Sequence, residues 1–229
     1  MKNFLAKVFA TYIYFKNRKW IYNPIESQKK TFKKLINKAS GTKFGIEHNF
    51  NKIKSYKDFK DKVPVRDYEQ IKPYIDIILA GDDNVLWPGK PVYLSKTSGT
   101  TSGIKYIPIT NESMPTHIIS ARDAILRYIY YSGNTSFING KQIFLQGSPV
   151  LQKKNNISIG RLSGIVAHYV PSYLQKNRLP SWETNCTEDW DKKVDLIVEE
   201  TINQKMTLIG GIPPWVQMYF EKIIQKRGD

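Results

Sequence analysis

Thr97-Ser98-Gly99-Thr100-Thr101-Ser102-Gly103-Ile104-Lys105 is the stretch on which the reading of this chain turns. Five hydroxyl side chains, two glycines and a lysine fall within nine residues. Glycine permits positive φ and lets the backbone approach a ligand closely. Successive N–H groups in such a loop converge into a concavity suited to an anion. Hydroxyls add donors and Lys105 adds a positive charge, so the set suits a polyphosphate. The stretch is not a Walker A loop, which needs four residues between its glycines and then Lys-Ser/Thr. Here three residues separate Gly99 from Gly103, and Ile104 precedes Lys105. Short apolar runs flank the loop, Val92-Tyr93-Leu94 before it and Tyr106 to Ile109 after it. The loop is therefore expected to join two strands. Its composition suits an ordinary Ser/Thr/Gly hairpin turn equally well.

Outward from the loop, strands and helices alternate. Residues 113–131 read as a long helix ended by Gly133, and Lys141 to Gln146 as a buried strand. Residues 188–204 read as a helix with Trp190, Val194, Ile197 and Val198 on one side. Met206 to Ile209 reads as a strand, and Gly210-Gly211-Ile212-Pro213-Pro214 as a turn opening a last helix. This alternation predicts an α/β fold with a layered mixed sheet and flanking helices. Upstream the pattern is helical. Residues 27–39 carry Phe32, Leu35, Ile36 and Ala39 on one stripe after a capping Ser27, and residues 55–75 hold turns broken by Pro64 and Pro73. The expected organisation is a mainly helical lead-in over 1–75 and an α/β part over 92–229.

Composition narrows the function classes. The 229 residues are 41% hydrophobic and 24% charged, which excludes wholesale disorder. A single cysteine, Cys186, excludes an internal disulfide and a cysteine-type zinc site, and it points to a reducing, cytoplasmic compartment. His48, His117 and His168 lie far apart without ligand spacing, which argues against a metallohydrolase, and no metal site is assigned. His168 is read as structural and Cys186 as an inert thiol.

The formal net charge of +15 is unevenly placed. Residues 1–62 carry 16 Lys/Arg against 4 Asp/Glu, whereas residues 63–229 carry 19 against 16. Lys29, Lys30, Lys33, Lys34 and Lys38 read as a solvated helix face. The sharper alternative is a surface for nucleic acid, anionic lipid or an acidic partner. No aromatic-basic strand motif or zinc finger supports that alternative. Phe4 to Phe15 is apolar but interrupted by Lys7, and it is too short for a membrane span at roughly 20 residues. It is expected to form a first helix packing its Phe/Leu/Ile/Tyr face onto the domain, with a membrane-surface anchor as the alternative.

With these pieces in place, Thr97 to Lys105 resembles the phosphate-binding loop of adenylate-forming enzymes, the superfamily of acyl-CoA synthetases and firefly luciferase. Ser102 before Gly103, followed by Lys105 and Ile107-Pro108, resembles the plant auxin and jasmonate acyl-acid amido synthetases and their bacterial relatives, the auxin-responsive family. So do Asn23-Pro24, Gln28, Thr42 with Phe44-Gly45, Phe59, Val63-Pro64, Tyr68-Glu69, Lys72-Pro73-Tyr74 and Leu86-Trp87-Pro88-Gly89. Later segments, Ser163-Gly164 and Pro180-Ser181-Trp182, continue the likeness. The resemblance implies a ligase that uses ATP and Mg²⁺ to adenylate a small carboxylic acid and then joins it to an amino acid or other amine. It places Thr97, Ser98, Gly99, Thr100, Thr101, Ser102, Gly103 and Lys105 on the nucleotide phosphates. It also implies further parts: a Tyr-x-x-Ser-Glu-type segment, an aspartate for the ribose and a mobile C-terminal domain. None of these can be placed in residues 1–229. The chain is therefore expected to represent the N-terminal part of such an enzyme and to be inactive alone. An exposed apolar patch is expected on it, covered by a missing part or by self-association.

One candidate emerges for the acid. Ile118, Arg122, Ile125 and Ile129 fall three or four residues apart, which sets Arg122 on an apolar stripe expected to face inward. A buried arginine needs an anion, either an Asp or Glu of the chain or the substrate carboxylate, gripped bidentately. The carboxylate reading agrees with the resemblance, in that some family members have a basic residue in the corresponding helix. Two other readings are a fragment that binds nucleotide or acid without turnover, and a basic interaction module for nucleic acid or membrane.

Overall fold

The computed structural model describes residues 1–97 and 103–228. Helices come first: α1 (Lys2–Ile21), α2 (Pro24–Ala39), α3 (Lys43–Glu47), α4 (Tyr56–Lys62) and α5 (Tyr68–Ala80). Next come β1 (Tyr93–Lys96), β2 (Tyr106–Ile109), α6 (Met114–Ser132), β3 (Lys141–Leu145), β4 (Gln152–Lys154) and β5 (Ile157–Gly160). The chain continues through α7 (Leu162–Ala167), α8 (Ser172–Gln175), β6 (Arg178–Leu179), α9 (Trp182–Cys186), α10 (Trp190–Thr201), β7 (Met206–Gly211) and α11 (Pro213–Arg227). The fold class is the expected α/β one. Two compact units share these elements. One comprises Phe15–Thr116 and Gln152–Gly160, the other Met1–Tyr14, His117–Leu151 and Arg161–Asp229.

The first unit is built on a mixed sheet of order β2-β1-β5-β4. β1 pairs antiparallel with β2 and parallel with β5, and β5 pairs antiparallel with β4. Ile75 and Ile78 of α5 close over Leu94, Ile157 and Ile159, all buried. α5 runs through Pro73, where a break was expected. Its first turn is fixed by a reciprocal capping box between Asp67 and Gln70, and its far half by the buried isoleucines. The proline therefore removes a single backbone hydrogen bond from a helix already held at both ends. α2 begins at Pro24 rather than after Ser27, because proline at the first helical position is set to helical φ. Lys29, Lys30, Lys33, Lys34 and Lys38 are all exposed, as a solvated face requires.

β4 and β5 form a hairpin through Asn155 and Asn156, with φ of 49° and 65°. Two left-handed residues in succession make the tight turn whose twist matches paired strands, and asparagine tolerates that conformation. Asn155 Nδ2 donates to Leu79 O at 2.8 Å, tying the turn to the end of α5.

The second unit carries a parallel sheet of order β6-β3-β7. Ile143 and Leu145 of β3 pack with Val194, Ile197 and Val198 of α10 and with Tyr219 of α11. Gly210 and Gly211, expected in a turn, extend β7 instead, paired with Phe144 and Leu145. Ala10 and Ile13 of α1 pack with Leu126 and Ile129 of α6 and with Phe137. The face that α1 buries is thus opposite to the expected one. Ala6, Ala10 and Ile13 make up the side that packs, while Phe4, Leu5, Val8, Phe9 and Tyr12 are exposed on the other side. No helix among the described residues is long and apolar enough to cross a membrane.

Leu94 has no exposed surface. Leu94→Ala is expected to lower unfolding stability by about 2–5 kcal/mol through lost transfer energy and an unfilled cavity. Leu35→Ala, at a 48% exposed position, should cost less than about 0.5 kcal/mol. Urea unfolding of both variants checks the contrast.

Candidate functional site

β1 and β2 deliver the two arms of the loop. Lys96 lies opposite Tyr106, and the Thr97 N–H donates to Lys105 O at 3.0 Å, the last rung of the ladder. Thr97, Gly103 and Lys105 therefore belong to one hairpin mouth. Ser98, Gly99, Thr100, Thr101 and Ser102 lie outside the described residues. Gly103 has φ of +76°, and a Cβ built on it would meet nothing within 4 Å. Glycine is needed there for its backbone conformation and not for lack of space. The Lys105 ammonium sits 5.4 Å from the centroid of the Tyr68 ring.

Arg122 departs from its expected setting. Its side chain is 42% exposed, and Nε and Nη2 both donate to Asp123 Oδ1, at 2.9 and 2.7 Å. The guanidinium also lies 5.8 Å from the centre of the Phe9 ring. Burial on α6 is centred on Leu126 and Ile129, where Ala10 and Ile13 cover it, while Ile125 is exposed. At Arg122 the helix has passed the end of that cover, and the long side chain carries its charge out to water. The inward-facing stripe is thus shifted from the expected one, and the anion at Arg122 is its neighbour Asp123.

His168 and His48 hold backbone. His168 Nε2 is 2.8 Å from Pro149 O and its ring meets Trp182 edge-on, while His48 Nδ1 is 2.8 Å from Phe44 O. Among the described residues no three His, Cys, Asp or Glu side chains gather to hold a metal ion.

Sequence reasoning passed over Lys193. It is 1% exposed, and its ammonium donates to Gln146 O at 3.1 Å and Asn185 O at 2.6 Å. Burial pushes it down to about 8, with Arg161 pushing the same way and Cys186 opposing. Lys193 thereby joins the exit of β3 to the end of α9. Arg178 caps the same exit, donating to Gln146 Oε1 at 2.7 Å while its guanidinium lies 4.8 Å from the Phe144 ring centre. The spacing of Lys193 with Ile197 and Thr201, four residues apart on one helix face, was the available signal.

Lys193 has a pH consequence. Its folded value lies below the usual 10.5, so between pH 8 and 10.5 the unfolded chain holds the proton that the folded chain has lost. Stability attributable to this group therefore rises with pH across that window. Tyr74 and Tyr219, both pushed up by burial, oppose it only above their ordinary value of 10.0. Urea midpoints measured from pH 8 to 9.5 should rise in the wild type and stay flatter in Lys193→Met.

Comparison with known proteins places this architecture. The model of the GH3 family N-terminal domain matches residues 17–192. The jasmonoyl–L-amino acid synthetase JAR4 of Nicotiana attenuata is 26% identical over 136 residues, covering 58% of this chain and 23% of that protein. The probable indole-3-acetic acid-amido synthetase GH3.13 of Oryza sativa subsp. japonica is 43% identical over 58 residues, covering 24% and 12%. Among solved structures, the AtGH3.15 acyl acid amido synthetase in complex with 2,4-DB superposes with a TM-score of 0.67 at 20% identity, over 87% of this chain and 35% of that one. The chain thus spans about a third of that structure and matches under a quarter of the length of these curated relatives. With the family model covering most of its length, the chain belongs to the GH3 family and corresponds to the N-terminal portion of its fold.

Proposed function

We propose that this chain supplies the phosphate-gripping part of an ATP-dependent acyl-acid amido synthetase. The observation that carries the reading is the hairpin mouth. Two strands locked in register present Thr97, a positive-φ Gly103 and Lys105 on the two arms of one Ser/Thr/Gly-rich loop. Membership of a family whose named members are acid-amido synthetases supports the same reading. In the reaction, a carboxylate oxygen attacks the α-phosphorus of ATP. The bond to the β-phosphate oxygen breaks and pyrophosphate leaves with that electron pair. The amine of an amino acid then attacks the acyl carbon, the carbon–oxygen bond to AMP breaks, AMP leaves with that electron pair, and the nitrogen gives its proton to solvent. Residues Thr97 to Lys105 hold the β- and γ-phosphates, so their contribution falls on the first step.

Arg122 is the proposed holder of the acid carboxylate. Its Nε and Nη2 both donate to the single oxygen Asp123 Oδ1, and a substrate carboxylate would replace that contact with a bidentate one. Mg²⁺ accompanies ATP in such chemistry, but the described residues offer no cluster of carboxylates to hold it. The adenine, the ribose and the second half-reaction call on groups outside the matched portion. The proposed setting is cytoplasmic, consistent with the free thiol of Cys186.

Calorimetric titration of ATP into the chain tests the proposal. Lys105→Ala is expected to weaken binding about tenfold or more, the loss of one charge-assisted contact. Gly103→Val should weaken it further, because a β-branched residue resists φ of +76°. Unchanged affinity in both variants would return the loop to an ordinary turn. Arg122→Ala should weaken binding of small carboxylic acids, read by the same titration.

A further inference from the structure

β2 is an outer strand of its sheet, and its first residue stands where the loop ends. Lys105 turns its carbonyl toward β1 to accept from Thr97, so the next amide, Tyr106 N–H, points off the sheet edge. A half-buried edge amide needs an acceptor. Here it donates to the hydroxyl of Tyr68 at 2.8 Å, from 38 residues earlier in the chain. The same tyrosine turns its ring to the Lys105 ammonium, 5.4 Å from its centroid. One side chain thus engages two consecutive residues at the outgoing arm of the loop.

Tyr68 is itself held firmly. It is the first residue of α5, directly after the Asp67 cap, where the Asp67 N–H donates to Gln70 Oε1 at 3.0 Å and the Gln70 N–H to Asp67 Oδ1 at 2.9 Å. Ile75 and Ile78 bury the far end of α5 against Leu94 of β1, and the Tyr106 side chain packs on that cluster. A carboxylate in the place of the Tyr68 ring would neutralise Lys105. An aromatic face attracts the ammonium without neutralising it and leaves its N–H donors for another partner.

We infer that Tyr68 is a positioning residue for the phosphate loop: its hydroxyl anchors the outgoing arm at Tyr106, and its ring holds Lys105 where the lysine can meet phosphate. The inference rests on the phosphate-gripping reading of residues 97–105, and it adds a residue that touches no phosphate. The two functions separate by substitution. Tyr68→Phe keeps the ring and loses the acceptor, whereas Tyr68→Leu loses both.

The experiment pairs amide hydrogen exchange with ATP titration on the whole chain, with thermal midpoints as the check on folding. Tyr68→Phe should speed exchange at the Tyr106 amide about tenfold and keep the contribution of Lys105 to ATP affinity. Tyr68→Leu should speed that exchange equally and weaken ATP binding by a further factor of about two to five, the size of a partly exposed cation–π contact. That further loss should vanish when Lys105 is already alanine, because it acts through Lys105. ATP affinity in Tyr68→Leu equal to that of Tyr68→Phe, or a loss that persists in the Lys105→Ala background, would overturn the inference while leaving the loop reading intact. Unchanged exchange at Tyr106 would overturn the anchoring half directly. Absence of ATP binding by the wild type, or indifference of that binding to Lys105→Ala, would overturn both the inference and the reading beneath it.

Discussion

Leu94 is wholly buried between Ile75 and Ile78 of α5 and Ile157 and Ile159 of β5. Side chains alternate along a strand, so a slip of one residue in β1 would turn Leu94 to the opposite face. That burial locks the register of β1 against β5 on one side and β2 on the other. The register in turn sets Thr97 opposite Lys105, and so fixes the two ends of the loop between them. A loop that is to meet an anion with backbone amides gains when its ends are already in place, because the cost of ordering those ends has been met in folding. The hydrophobic contact at Leu94 and the chemistry proposed at Lys105 are consequences of one strand register.

The second unit shows a different balance. Lys193 is buried and its ammonium is held by two backbone carbonyls. A charge in that position is costly, which is why its protonation is depressed. What the contact provides is geometry. It draws the exit of β3, the end of α9 and the body of α10 to one point, at the carboxyl end of a parallel sheet. Gly164 presses into the same region, where an added Cβ would lie 2.3 Å from Ser148 O. Glycine at 164 is thus required by close backbone approach, in contrast to Gly103, where only conformation demands it.

The α/β class, the strands on each side of the loop and the long helices were legible in the amino-acid order, because hydrophobic periodicity and the Gly/Pro boundaries agreed there. The hairpin of β4 and β5 was not, although Asn155-Asn156 is a two-residue turn signal; its strands, Gln152–Lys154 and Ile157–Gly160, are too short for alternation to register. The face of α1 was misread because hydrophobicity pointed to the phenylalanines, whereas the side that packs with α6 carries Ala6, Ala10 and Ile13. Arg122 was set on an inward stripe by spacing alone, and spacing cannot tell where the covering element ends. Lys193 escaped notice, and Tyr68 was noted only as part of the family likeness and not for its contacts, for a related reason. Each acts through partners 8 to 47 residues away in the chain, and such pairings exist only after folding.

The central claim is that the segment from Thr97 to Lys105 recognises phosphates beyond the α-phosphate, and competition binding tests it most directly. With labelled ATP bound to the chain, inorganic pyrophosphate should displace it, and adenosine should not at the same concentration. Displacement by adenosine with indifference to pyrophosphate would contradict the account, since it would place the recognition of ATP on its base and sugar rather than on the phosphate loop.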